Sequence, residues 1–254
     1  MYERTPLMCA TLRWHAGVVK LLLEREDVNP NLPDKYKQTP LKCAAVDGQE
    51  EMVKLLLQRK NVGPNRPDVN DLTPLGCAAL AGHKGVVRLL LEREDVDPNR
   101  PDVNDRTPLG CATLAGHEGV VKLLLGRKDV DPNRPDKDNQ APLRCAAVDG
   151  HEGVVKLQLG REDTNPNVLD GNDRTPLGCA ALEGHEGVVK LLLEHEGADP
   201  DRPDKYGCTP LSHADRNGHG AVVKLLQARI SVGSADPQPP PKRLKFEQSS
   251  EAVN

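Results

Sequence analysis

Six cysteines recur at a fixed spacing of 34 residues: Cys9, Cys43, Cys77, Cys111, Cys145 and Cys179. Regularly spaced thiols raise two chemistries, disulfide bridging and metal binding. Packed helices lie about 8–10 Å apart, whereas a disulfide needs α-carbons within about 7 Å, so cysteines in adjacent units do not bridge. No Cys-x-x-Cys pair is present, and a structural zinc site is built on such pairs. The row is therefore expected to fill an apolar seam between units. Cys208 stands apart, next to Thr209 in a turn, where exposure is expected and a redox role is only a minor alternative. Seven cysteines are an odd count in a chain whose first residues form no apolar signal segment, and this points to a reducing compartment.

A second row is imidazole. His83, His117, His151, His185 and His219 each follow a glycine, and His15 stands in the matching place. His117-Glu118 opens like a zinc-protease helix, but no histidine follows four residues on. The row is expected to hydrogen-bond the loops between helices. Asp34, Asp68, Asp102, Asp136, Asp170 and Asp204 form a third row. The stretch from Asp136 to Gln140 begins like a calcium loop but lacks the glycine at the sixth place and the glutamate at the twelfth. Turn structure explains the aspartates better. Ser212 is the only serine before residue 231, and neither a phosphate-binding glycine loop nor a nucleophile elbow occurs. No catalytic residue, metal ligand or cofactor is assigned.

Charge excludes further classes. The 34 basic and 38 acidic side chains leave a net charge of -4. That balance, with no basic stripe interleaved with aromatics, argues against nucleic acid as partner. No apolar run reaches the roughly 18 residues of a membrane span.

The elements that carry these rows follow from the same period. Thr-Pro-Leu starts at Thr5, Thr39, Thr73, Thr107, Thr175 and Thr209, with Ala141-Pro142-Leu143 in the one gap. The units are close copies; those starting at Thr73 and Thr107 are identical at 25 of 34 positions. Threonine caps a helix and proline suits its first turn. A short helix with small Ala and Cys residues follows, then a Gly-His break, then a second helix with a broad apolar stripe such as Val86, Val87, Leu89, Leu90 and Leu91. Asp27, Asn61, Asp95, Asp129, Asp163 and Gly197 follow that helix, and their types predict a left-handed stop there. A proline-rich extended segment completes the unit. Such a helix pair cannot bury its apolar face alone, whereas stacked copies can, giving a solenoid.

The Thr-Pro-Leu, Ala-Ala, Gly-His and Val-Val-x-Leu-Leu-Leu wording resembles the ankyrin repeat over residues 1–230. The resemblance implies an all-α solenoid of about seven 34-residue helix-loop-helix units with extended turns. The sequence departs from the family where a histidine usually follows Thr-Pro-Leu: Met8, Lys42, Gly76, Gly110, Arg144, Gly178 and Ser212 stand there. The wording Gly-His-Glu-Gly-Val-Val-Lys-Leu-Leu-Leu with Asp-Pro-Asn-Arg-Pro-Asp is also similar to the near-identical ankyrin arrays of fungal receptor-like proteins. That likeness implies an alternative, in which the chain is the C-terminal sensor arm of a larger nucleotide-binding signalling receptor.

The family implies a non-catalytic module, an adaptor or scaffold that holds a protein partner on its concave face. The positions carried over by register are the turn residues Lys35, Tyr36, Val69, Asn70, Val103, Asn104, Lys137, Asp138, Asn172, Lys205 and Tyr206. To these are added Gln38, Leu72, Arg106 and Arg174 just before the cap, and Leu80 and Leu114 ending first helices. Tyrosine is a frequent contact hot spot, and Leu72, Leu80 and Leu114 are expected to form an apolar patch. Trp14 replaces glycine in an uncapped first unit, so Met1 reads as a truncated or alternative start and self-association through that unit is expected. Residues 231–254, rich in Ser, Pro, Gln and Glu, read as a disordered tail. Within it Lys242, Arg243 and Lys245 resemble a nuclear-import signal. The expected location is the cytoplasm, with the nucleus as second destination.

The fifth unit is the weakest by sequence. Ala141 cannot cap, Gln158 interrupts the apolar stripe and Gly160 follows. Hydrogen exchange is expected to be fastest, among the helices, within residues 141–171; uniform protection across the array would contradict this.

Overall fold

The computed structural model describes residues 4–233, and every regular element among them is a helix. The helices pair as α1 (Pro6–Leu12) with α2 (Ala16–Glu24), α3 (Pro40–Val46) with α4 (Glu50–Leu57), and α5 (Pro74–Leu80) with α6 (Lys84–Leu91). They continue as α7 (Pro108–Leu114) with α8 (Glu118–Leu125) and α9 (Pro142–Val148) with α10 (Glu152–Leu159). The last pairs are α11 (Pro176–Glu183) with α12 (Glu186–Glu194) and α13 (Pro210–Arg216) with α14 (Gly220–Gly233). Odd helices pack on odd, even on even, and each pair on itself, which makes two layers. Turns before α3, α5, α7, α9, α11 and α13 form the tips.

Each odd helix starts where the sequence predicts. The hydroxyls of Thr5, Thr39, Thr73, Thr107, Thr175 and Thr209 accept from the N–H three residues on, at 3.1–3.3 Å. Ala141 leaves that donor without a cap. The break between helices is a left-handed glycine, for instance Gly82 at φ +74°. A second constraint acts on the same atom. A Cβ on Gly82 would lie 2.7 Å from the His117 ring, and one on Gly48 2.7 Å from that of His83. The histidine of each later unit thus lies on the glycine of the unit before. Where Trp14 replaces the glycine, at φ +59°, the next unit carries Gln49 instead of histidine.

The core is a ladder of equivalent residues. Leu41, Leu75, Leu109, Leu143 and Leu177 from odd helices, and Val53, Val87, Val121, Val155 and Val189 from even ones, are buried. The cysteine row is buried from Cys43 onward, as the seam reading requires, while Cys9 is exposed. Burial pushes the Cys43, Cys77 and Cys145 thiols up to about 11 and Cys111 to about 12, so they stay protonated. Gln158 occupies the place held by Leu56, Leu90, Leu124 and Leu192. It is fully buried, gives its Nε2 to Thr113 Oγ1 at 3.1 Å, and leaves Oε1 without a partner.

Two expectations are overturned. The left-handed residues are not Asp27, Asn61, Asp95, Asp129, Asp163 and Gly197. Outside the break between helices they are Lys37, Asp71, Asp105, Asn139, Asp173 and Gly207, two places before each cap from Thr39 on. The even helices stop differently: Arg93, Arg127 and Arg161 grip Asp95, Asp129 and Asp163 two residues on, and their guanidinium groups also donate to Leu57, Leu91 and Leu125 carbonyls of the preceding unit. Cys208 is buried rather than exposed, with Arg216 Nη1 donating to its sulfur at 2.9 Å.

An asparagine ladder completes the stack. Asn31, Asn65, Asn99, Asn133 and Asn167 each donate to a carbonyl thirty residues on, at 2.5–2.7 Å. Each also accepts from an N–H two residues beyond that, at 2.8–3.2 Å.

Ala141→Thr is expected to raise stability by about 1 kcal/mol by restoring the cap. Gln158→Leu should add roughly 1–3 kcal/mol by removing the orphaned oxygen; Thr113 can turn its hydroxyl to the carbonyl four residues back, as Thr11 does to Leu7. Urea denaturation checks both, and a lowered midpoint for either would refute the assignment.

Candidate functional site

The aspartate row organises the tips. One oxygen of Asp34 accepts the N–H groups of Tyr36 and Gln38, at 2.9 and 3.0 Å. The same pair of contacts, to residues two and four on, recurs at Asp68, Asp102, Asp136, Asp170 and Asp204. Each tip is therefore closed around a carboxylate. Neighbouring tips join through backbone: Val103 N–H donates to Asn70 O, Lys137 to Asn104 O and Lys205 to Asn172 O, each at 3.0 Å.

The second oxygen of five of these carboxylates faces a variable neighbour. Asp68 Oδ2 holds Lys42 Nζ, from the odd helix before that tip, at 2.6 Å, with both side chains buried. Asp170 Oδ2 takes Arg174 at 2.9 Å and Arg144, likewise from the odd helix before its tip, at 3.5 Å. Asp102 pairs with Arg106 at 3.5 Å, Asp34 lies 3.9 Å from Arg4, and Asp204 accepts from His213 Nε2 at 2.9 Å. Burial pushes the Asp68 carboxyl up, but the Lys42 ammonium and the N–H groups of Asn70 and Leu72 outweigh it and hold it below the ordinary range. Burial likewise opposes, and the N–H groups and Arg174 override, at Asp170. Asp204, Cys208 and His213 lie close enough together to suggest a metal site. The His213–Asp204 hydrogen bond and the Arg216 cation on the Cys208 sulfur use those atoms instead.

The residues singled out from the sequence fall into two groups. Lys35, Tyr36, Val69, Asn70, Leu80, Val103, Leu114, Lys137, Asp138, Lys205 and Tyr206 are exposed. Tyr206 is 72 % exposed and Tyr36 43 %, each with a neighbouring lysine ammonium over its ring, at 5.2 and 4.7 Å. Gln38, Leu72, Asn104, Arg106, Asn172 and Arg174 are half-buried. Arg106 and Arg174 turn onto their own aspartates. Leu72 leans over Gly76, so it leaves the expected apolar patch; Leu80 and Leu114 remain in it, joined by Val46 at the equivalent place. The carbonyls of these three accept from His83, His117 and His151 Nε2, at 2.9, 3.0 and 3.4 Å. A carbonyl only accepts, so Nε2 carries the proton. Lys242, Arg243 and Lys245 lie outside the described residues.

Five of the chosen residues converge. Asn104, Arg106, Leu114, Lys137 and Asp138 line one cleft of about 280 Å³ between the fourth and fifth units. Its wall also includes Gly110, Arg134, Asp136, Gln140, Pro142 and Cys145. Sequence reasoning passed over Gly110 and Asp136 as site residues, although the unusual glycine after Thr-Pro-Leu was the signal. The surface offers charge, hydrogen bonds and apolar contact. No described helix is long and apolar enough to cross a membrane.

A family model described as ankyrin repeats matches the chain in three copies, over residues 2–68, 60–136 and 137–236. Among solved structures the chain is similar to the crystal structure of the ankyrin repeat domain of Bcl-3, described as a unique member of the IkappaB protein family. The identity is 24 %, the TM-score 0.79, and the match covers 89 % of this chain and 100 % of that one. No curated protein matches.

The depressed carboxyls at Asp68 and Asp170 give a pH dependence. Their folded pKa values lie below the unfolded value of about 3.9, so the stability they contribute is full above it and is lost as pH falls through the lower folded values. Urea midpoints are expected to drop on acidification below about pH 4. Asp68→Asn should lower the midpoint at neutral pH and make the acid slope shallower.

Proposed function

Because the chain belongs to the ankyrin-repeat family, we propose that it is a non-catalytic module that binds a protein partner along the tips and odd helices, the concave face of the family. One observation carries this reading. Residues constant between units (Thr caps, Gly-His pairs, Asn ladder, Asp row) are engaged in building and joining the units, whereas many of those that vary, among them Tyr36, Val69, Leu80, Val103, Leu114, Lys137 and Tyr206, are exposed at the tips and odd-helix ends. Tyr36 and Tyr206 supply large contact area at its ends, and Val46, Leu80 and Leu114 supply an apolar strip between. A stack held from unit to unit is preorganised, which lowers the ordering cost of binding. The mixed charge of the face suits protein rather than nucleic acid.

Trp14, Val18 and Leu21 expose a second apolar area, at the first unit. Self-association belongs there. The receptor-arm alternative rests on repeat wording alone and draws no support from the fold. Cytoplasmic or nuclear location rests likewise on composition and on the Lys242, Arg243 and Lys245 cluster.

Leu80→Arg with Leu114→Arg is expected to weaken binding of an isolated partner about tenfold or more. Glu92→Arg on the opposite layer should leave it unchanged. Calorimetric titration distinguishes the two, and equal loss from both variants would remove the assignment to this face.

A further inference from the structure

We propose that the cleft between the fourth and fifth units receives one lysine or arginine side chain from the protein partner. The inference rests on the binding reading above and adds the chemistry of what enters.

The repeat supplies its own template. In the second unit the residue after Thr-Pro-Leu is Lys42, whose ammonium reaches Asp68 of the next tip at 2.6 Å. In the fifth unit the equivalent Arg144 reaches Asp170 at 3.5 Å. In the fourth unit the equivalent residue is Gly110, and the equivalent aspartate is Asp136. Both line the cleft. The space a side chain would occupy is therefore empty between two units whose backbone repeats that of the filled positions.

The other units with glycine at this place solve the charge differently. Asp102, following Gly76, pairs with Arg106, and Asp204, following Gly178, pairs with His213. In the fifth tip the residue at the Arg106 position is Gln140 and that at the His213 position is Cys145, neither of them a cation. Among the described residues, Asp136 is the member of the aspartate row with no ion pair. Its Oδ1 is used by the Asp138 and Gln140 N–H groups, which leaves the outer oxygen.

The cleft also contains cations, and each is engaged elsewhere. Arg106 faces Asp102, Lys137 Nζ donates to Asn104 Oδ1, and Arg134 donates to Asn99 O at 3.4 Å. Leu114 and Pro142 give the aliphatic stem of an entering lysine or arginine an apolar wall.

The test is a displayed library of random twelve-residue peptides, selected on the full chain and then titrated as synthetic peptides. Selected peptides are expected to share a lysine or arginine at one position. Asp136→Asn keeps the turn acceptor but removes the charge, and should weaken them on the order of ten- to a hundredfold. Gly110→Lys should do the same by filling the cleft from within. A Cβ there meets only ordinary contacts, Thr107 Oγ1 at 3.6 Å and Arg106 Cβ at 3.9 Å, so its thermal midpoint should not fall.

Peptides that lose binding to Leu80→Arg with Leu114→Arg yet share no basic residue would overturn this inference and leave the binding reading intact. Selection of acidic peptides that Asp136→Asn binds more tightly would also overturn it. Failure to select any peptide would count against both. Should a chain with Lys242→Ala, Arg243→Ala and Lys245→Ala bind the peptides tenfold tighter, the occupant is this chain's own segment and a partner side chain is excluded.

Discussion

A pair of helices seven to nine residues long has an apolar side that it cannot cover by itself. Each unit is therefore stable only against a neighbour, and nearly every specific interaction here answers that constraint. The leucine and valine ladders pass from unit to unit. So do the polar contacts: histidine to the carbonyl ending the previous odd helix, arginine to the end of the previous even helix, asparagine to the turn of the next unit. The polar groups matter as much as the core, because short helices leave many backbone donors and acceptors unpaired at their ends. The stack uses side chains of adjacent units to satisfy them.

This division of labour leaves the tips and odd-helix faces chemically free. The aspartate row is the hinge between the two roles. One oxygen of each carboxylate closes the turn, and the other, except at Asp136, meets a variable partner that changes along the array, such as Lys42, Arg106, Arg174 or His213. A fixed anion with a changing neighbour makes the electrostatics of the face a matter of single substitutions. The fold does not need to change for the face to do so.

Much of this was legible in the sequence. The 34-residue period, the Thr-Pro caps and the Gly-His break each act within a few residues, where local chemistry decides. The Gly-His wording implies a hydrogen-bonding histidine, and the ring does bond, to the carbonyl at the end of the previous unit's odd helix rather than to a loop. What escaped depended on particular side-chain partners rather than on residue type at a single place. Asp95 was of the type to stop a helix in left-handed conformation, but Arg93 holds its side chain and the chain turns elsewhere. The asparagine ladder gave no local signal, since Asn99 serves a turn in the next unit. Cys208 stands in a turn, which suggests exposure, yet Arg216 folds over it. The cleft at Gly110 was hidden because it arises from side chains that are missing, and only the stacking shows what surrounds the gap.

The pairing of glycine with histidine across units has a consequence for how such an array can change its length. From Gly48–His83 through Gly184–His219 every junction makes this contact. Excision or duplication of a whole unit within that span would bring another glycine under another histidine, and the Asn contacts would re-form in the same register. The chain can grow or shrink there by whole units wherever the change does not separate Gln158 from Thr113. At Trp14 and Gln49 it cannot, because a histidine transplanted to position 49 would meet the Cβ of the tryptophan. The first junction therefore acts as a fixed end from which an otherwise interchangeable series is counted.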